Sequence, residues 1–366
     1  MKKQLFFKFI PLIAGALLVA VFYIAIPSRA VMDTAKTVSG YVRYALGQMT
    51  SLIPFSVYEL AVTLLILLVL FHLIRSAAAI VRAKGERVIT AVLQMLPLAA
   101  AGVIIWAAFL WLWCSLYYTT PFYEGVLKNT TPSEDDLKLA LEVFIDGANA
   151  SAPFISRDSD GHINESVPAL LKRASDVIPY GRLSDVFPRL ERYISPRPKS
   201  MLYSEIMSRT HFTGIYFALT GEANLNSGTP LAYLPSDTSH ELAHAHGIAA
   251  ESEANFAGIL AAILSDDPAF RYSGYLLGVT ELGNALYETN PDAYVELAQR
   301  YSDLILLDFR DNSEYWENYE DTPAAVTVSV VYDGYLKSNG QSLGIRSYGA
   351  CVNLLSEWVN SGRMRV

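Results

Sequence analysis

Residues His240 to Phe256 read HELAHAHGIAAESEANF. His240 and His244 stand four apart, and on a helix that spacing puts both imidazoles on one face, where they can reach one ion. Glu241 follows the first of them directly, placed to take a proton from a water at an open coordination position. The pattern is H-E-x-x-H. Its chemistry is that of zinc, which lowers the pKa of a water towards ~7 while the glutamate serves as general base. Local signals favour a helix. Pro235-Ser236-Asp237-Thr238 sets capping residues straight after a proline, and Gly247 permits a left-handed exit. A second helix is expected from about Ala249 to Leu264, stopped by Ser265-Asp266-Asp267-Pro268. Gly247 must then turn the chain sharply enough to bring the second helix back against the first. Catalytic zinc takes three protein ligands and leaves one position open. The next carboxylates are Glu251 and Glu253, which point about 200° apart on the second helix. His246 faces elsewhere on the first helix and reads as a polar supporting residue.

The N-terminal third has a different character. The 366 residues are 52% hydrophobic and only 17% charged, against a usual charged share of roughly 25%. Three apolar runs account for this: about Leu5 to Pro27, Leu52 to Ile74 and Ile89 to Leu116. A bilayer core needs about 20 apolar residues, and each run meets that length. The first is too long for a signal peptide and is broken at its start by Lys8, so it reads as a retained anchor. Lys2, Lys3 and Lys8 precede the first run, and Arg75, Arg82, Lys84 and Arg87 lie between the second and third. Basic loops stay in the cytoplasm, so everything after about Tyr118 is expected outside it. The weakly basic stretch between the first two runs is then an outer loop. Trp106, Trp111, Trp113, Tyr117 and Tyr118 suit the outer aromatic belt. Glu59 and His72 lie near the ends of the second run, within reach of the headgroups.

From Tyr123 the chain turns polar. Ser133 is expected to cap a helix, Val167 to Leu190 reads as helical with breaks at Pro179 and Pro188, and Phe212 to Leu219 reads as a short strand. Thr220 to Thr229 is turn-rich, and further helices fit Ala269 to Glu288, Pro291 to Arg300, Ala324 to Lys337 and Tyr348 to Trp358. The expectation is an α-helical membrane region of three transmembrane helices over residues 1–118. A mostly α, α+β soluble domain with a small sheet would follow over 119–366. A net charge of −8 argues against nucleic acid as a partner. Two cysteines, Cys114 and Cys351, exclude a disulfide scaffold and read as buried thiols.

At these residues the chain resembles zinc metallopeptidases of the gluzincin type. There the third ligand is a Glu on the following helix, and an acid or amide four residues on fixes a ligand histidine through its second nitrogen. The resemblance implies a zincin-like fold, with Glu251 as the third zinc ligand, Asn255 as the orienting residue and Glu253 as a solvated acid. It also implies a Tyr or His that holds the oxyanion. His211, Tyr216, Tyr332, Tyr335, Arg346 and Tyr348 are available, and Tyr335 and Tyr348 are the expected pair. More closely, the chain resembles a family of three-pass bacterial membrane proteins known as domain of unknown function 3810. The family pattern HELAHxxGxxxExEANF is matched at His240 to Phe256, with His246 where Gln is expected. Two flanking stretches also match, TGIYFALTGEANLN (Thr213 to Asn226) and YLKSNGQSLGIRSYGACVNLLSEW (Tyr335 to Trp358).

Two functions compete. One is a zinc metallopeptidase anchored in the bacterial plasma membrane, acting on peptides or proteins outside the cytoplasm. The other is a non-catalytic receptor or scaffold with a structural or vestigial metal. A structural site needs four ligands and no general base, so the presence of Glu241 favours the enzyme.

Overall fold

The computed structural model describes residues 2–320 and 322–364. The side chains of Lys2 and Lys3, part of the basic tail, lie outside the described residues. The chain opens with α1 (Lys2–Ala25), α2 (Arg29–Ser51), α3 (Val57–Arg82) and α4 (Arg87–Leu112). Within α1, Phe7–Ala25 is long and apolar enough to cross a membrane, and so are the whole of α3 and α4. The second span starts later than the apolar run does. Ser56 caps it, accepting from the Glu59 amide, so the helix begins only after Pro54. Glu59 then falls in the first turn, where it accepts from the amides of Leu202 and Tyr203 (3.0 and 2.8 Å) rather than reaching headgroups. His72 bonds the Gln94 carbonyl of α4 at 2.8 Å, again a contact within the protein.

The stretch expected as an outer loop is the 23-residue helix α2. Its inward face carries Lys36, Gly40, Arg43 and Gly47, which pack on the later part of the chain. Arg43 makes a bidentate pair with Glu191 (3.0 and 2.9 Å) and also donates to the Leu112 carbonyl. Such a polar buried face hides the usual amphipathic signal.

The soluble part adds α5 (Glu134–Ser151), α6 (Val167–Val177), α7 (Tyr180–Val186), β1 (Lys199–Ser200), α8 (Ser204–Arg209), β2 (Gly214–Phe217) and β3 (Glu222–Leu225). It continues with α9 (Leu234–Ala245), α10 (Glu251–Ile263), α11 (Pro268–Thr289), α12 (Pro291–Ala298), α13 (Asp303–Glu317), α14 (Pro323–Ser338) and α15 (Cys351–Asn360). Ser133 caps α5 with a capping box closed by Asp136, as the sequence predicts. The sheet order is β1-β3-β2, with β1 parallel and β2 antiparallel to β3. The central strand β3 lies in the stretch that reads as turns, because its polar residues point inward. Glu222 pairs with Lys199 and accepts from the amides of Val57 and Tyr58 (3.0 and 2.7 Å), satisfying the exposed N-terminus of α3. Residues 303–317, not foreseen as helical, form α13, and the last helix starts at Cys351 because 344–350 wind as a 3-10 segment.

The core lies where α9, α10 and α11 pack together against α5, filled by Leu242, Phe256, Leu260, Phe270 and Leu276. The start of α9 differs from the capping expectation. No side chain caps it, and Ser236, Thr238 and Ser239 lie inside the helix, buried, each returning its hydroxyl to a preceding carbonyl. Gly247 has φ +84°, and a Cβ there would meet the Glu191 carboxylate at 2.7 Å. Only glycine makes the tight reversal that returns α10 to α9.

Candidate metal centre

The reversal at Gly247 brings His240 and His244 of α9 opposite Glu251, the first residue of α10. One ligand atom from each lies within 4.8 Å of the others, and all three side chains are buried. The Nε2 atoms of His240 and His244 stand 3.2 and 3.5 Å from Glu251 Oε2. Ligand atoms around a tetrahedral ion at ~2.0–2.1 Å are ~3.3–3.4 Å apart, close to both histidine–glutamate separations. The other ring nitrogens are engaged. His240 Nδ1 bonds Asn255 Oδ1 and His244 Nδ1 bonds the Ile248 carbonyl, each at 2.7 Å. With Nδ1 as the donor in both, the Nε2 lone pairs face the centre. Glu251 Oε2 is buried without a hydrogen-bond partner, while Oε1 accepts from Tyr332 OH at 2.7 Å. A nitrogen, nitrogen and oxygen donor set with one orphaned carboxylate oxygen fits a divalent cation such as zinc, and this group could hold one.

Charge in the cluster is coupled. Burial alone would raise Glu251, yet the imidazoles of His244 and His240 hold its carboxyl well below the usual range. Burial works against a charged His240, and the Glu251 carboxylate outweighs it and draws the ring upward. Both effects mark a site preorganised for a positive charge.

Glu241 lines a pocket of about 390 Å³ shared with His240, Gly214, Asp237, Tyr332 and Tyr348. Its Oε2 is buried and unpartnered, and burial raises its pKa. Gly214, on the edge strand β2, makes room for it, since a Cβ there would sit 2.5 Å from Glu241 Oε1. Burial also pushes Asp237 and Glu281 up to about 7. Asn255 donates towards Glu281 Oε1 and the Tyr348 carbonyl (3.4 and 3.3 Å), which fixes the amide that holds His240.

The structure brings His240, Glu241, His244, Glu251, Asn255 and Tyr348 together. Tyr348 stacks on the His240 ring at 5.9 Å and 14°. Tyr335 is not among the pocket residues. It accepts from Trp113 Nε1 at 2.9 Å and packs beside Phe109 and Tyr117 at the end of α4. Its neighbour one helical turn back, Tyr332, occupies the pocket, with its hydroxyl 3.3 Å from that of Tyr348. Nothing local marks Tyr332 over Tyr335, nor does anything local mark Gly214, Asp237 or Glu281. Among the other oxyanion candidates, His211 lines the pocket, and Tyr216 and Arg346 are not among its residues. Glu253 is half-buried rather than solvated and accepts from the Phe122 amide at 3.4 Å. His246 is packed away from the centre, stacked on Tyr180 and bonded to the Glu191 carbonyl and Ser195. Cys114 and Cys351 are free and buried.

A family model described as protein of unknown function (DUF3810) matches residues 35–356. The chain belongs to that family. The match spans the metal centre, the first flanking stretch, the second up to residue 356 and two of the three candidate membrane helices, and α1 lies outside it. No curated protein and no solved structure matches the chain.

Proposed function

We propose that this DUF3810 protein is a membrane-anchored zinc metallopeptidase, zincin-like in its catalytic domain, that hydrolyses peptide bonds with Glu241 as general base. One observation carries the reading: His240, His244 and Glu251 converge beside a pocket that Glu241 also lines, with its Oε2 buried and unpartnered. A zinc ion held by the three ligands would supply Lewis-acid polarisation of the scissile carbonyl and lower the pKa of the attacking water towards ~7.

The chain's own residues do the rest. Asn255 and the Ile248 carbonyl fix the two imidazoles, and Tyr332 fixes the free oxygen of Glu251. Glu241, made more basic by burial, takes the proton of the attacking water and returns it to the leaving amide nitrogen. Tyr348 keeps its proton, burial holding its hydroxyl well above the usual range, and can donate it to a developing oxyanion, whereas the Tyr332 proton is already given to Glu251. Phe212, Leu277, Val328 and Ile345 give the pocket an apolar wall suited to an apolar substrate side chain. The basic residues at the start of α1 and around the turn from α3 to α4 support a catalytic domain outside the cytoplasm of a bacterial cell. A structural site closes with four ligands, and the described residues gather three, so no observation favours the scaffold reading.

The test is cleavage of a mixed peptide library by the detergent-solubilised full chain, with and without a chelator. Glu241→Gln preserves size but cannot accept a proton, so cleavage should fall by about 10²–10⁴ while the metal stays bound. Equal cleavage by the variant would sink the catalytic role.

A further inference from the structure

The helix α2 is amphipathic the wrong way round for a soluble protein. Lys36 and Arg43 face inward, with Arg43 only 1% exposed, while Val38, Tyr41, Val42 and Met49 face outward, Val38 60% and Met49 66% exposed. Val38, Val42, Ala45, Met49 and Leu52 recur at three- and four-residue steps, with Val31 seven residues before the first of them, so the exposed apolar residues share one face. A stripe of that size exposed to water is unfavourable unless something covers it.

The fold says what lies there. Only Ile26, Pro27 and Ser28 separate α2 from the end of α1, and residues 52–56 separate it from the start of α3. In between, Arg43 bonds the Leu112 carbonyl at the end of α4. The helix therefore touches the same end of all three candidate spans, and its charged, buried residues exclude it from being a fourth. Exposed apolar residues of the soluble part lie beside these helices. Ile194 is tied to α2 through Gln48, and Leu202 to α3 through Glu59.

We propose that α2 is an in-plane membrane helix, its outward stripe lying in the lipid of the leaflet beneath the soluble part and its inward polar face holding that part down. The occupant is lipid, because the stripe is continuous with the surfaces of spans that lipid already surrounds. This rests on reading α1, α3 and α4 as spans. One consequence is that the metal centre stays near the bilayer. His244 packs edge-on against Trp113, the residue that follows α4, at 5.2 Å.

The experiment places single cysteines at Val38, Val42 and Met49, at Leu67 within α3, and at the exposed Val295 of α12. Each carries an environment-sensitive fluorophore, in the full chain reconstituted into phosphatidylcholine vesicles containing brominated lipid. Wild type, with both native cysteines buried, gives the blank. The expected result is blue-shifted emission and bromolipid quenching at 38, 42 and 49, strongest with bromines near the headgroups. An interfacial helix lies only about 5–10 Å into the boundary. Leu67 should quench best with deep bromines, and Val295 not at all. Emission at 38, 42 and 49 like that at Val295 would overturn the proposal. Blue-shifted emission without quenching would also overturn it, assigning the stripe to a protein partner, or to a second copy if cysteines at position 38 crosslink between chains. Loss of quenching at Leu67 would instead remove the spanning assignment on which it rests.

Discussion

Glu251 and Glu253 are two residues apart, yet only Glu251 turns towards the imidazoles. Glu253 lies against the Phe122 amide on the other side of α10. That division follows from helix phase alone, so the ligand set was legible once α10 was placed. The tyrosines were not, because choosing Tyr332 over Tyr335 depends on where α14 lies against α4, which no local pattern encodes. His246 gives a test at this scale. Burial lowers its pKa to about 4, whereas an unfolded histidine titrates near ~6.5. As pH falls below ~6.5 the unfolded chain takes up a proton that the native ring refuses until about pH 4, so stability drops across that window. The loss is on the order of 3 kcal/mol by pH 4. Gln at this position can donate to the Glu191 carbonyl without titrating. In chelator-treated protein, His246→Gln should flatten the acid side of the stability curve, as read by thermal unfolding against pH. An unchanged acid slope would contradict the assignment.

Among the elements, α5, α6 and α11 follow their apolar spacing and caps closely, and α9 and α10 lie where they are expected without a side-chain cap. Two of those that escaped, α2 and β3, share a cause: both bury polar residues, and a periodicity search reads burial from apolar side chains. In α2 the buried group is Arg43, paired with Glu191 at 2.9 Å. Removing one partner of such a pair strands a charge in the interior and costs about 3–5 kcal/mol. Arg43→Ala should therefore lower the unfolding midpoint of the detergent-solubilised chain strongly, and far more than Arg29→Ala, whose pair with Glu124 is exposed and long at 3.8 Å. Similar midpoints for the two variants would show that α2 is not held through this pair.

For the molecule as a whole, the three apolar runs and the metal motif were readable at once, since each depends on a single physical requirement: length in one case, spacing in the other. How the two parts join was not readable, because it runs through Arg43, Glu59 and Glu222, polar side chains that bridge distant segments. The proposed orientation rests on the basic segments. A cysteine in place of Asp160 should react with a membrane-impermeant thiol reagent in intact cells, and one in place of Lys84 only after lysis. The reverse pattern would invert the topology. The central claim is the metal. Elemental analysis of the purified full chain should find one zinc per protein in wild type, Glu241→Gln and Glu253→Gln, far less in Glu251→Gln and none in His244→Ala. A wild type that binds no zinc even when supplied with it, or a His244→Ala variant that keeps it, would contradict the account.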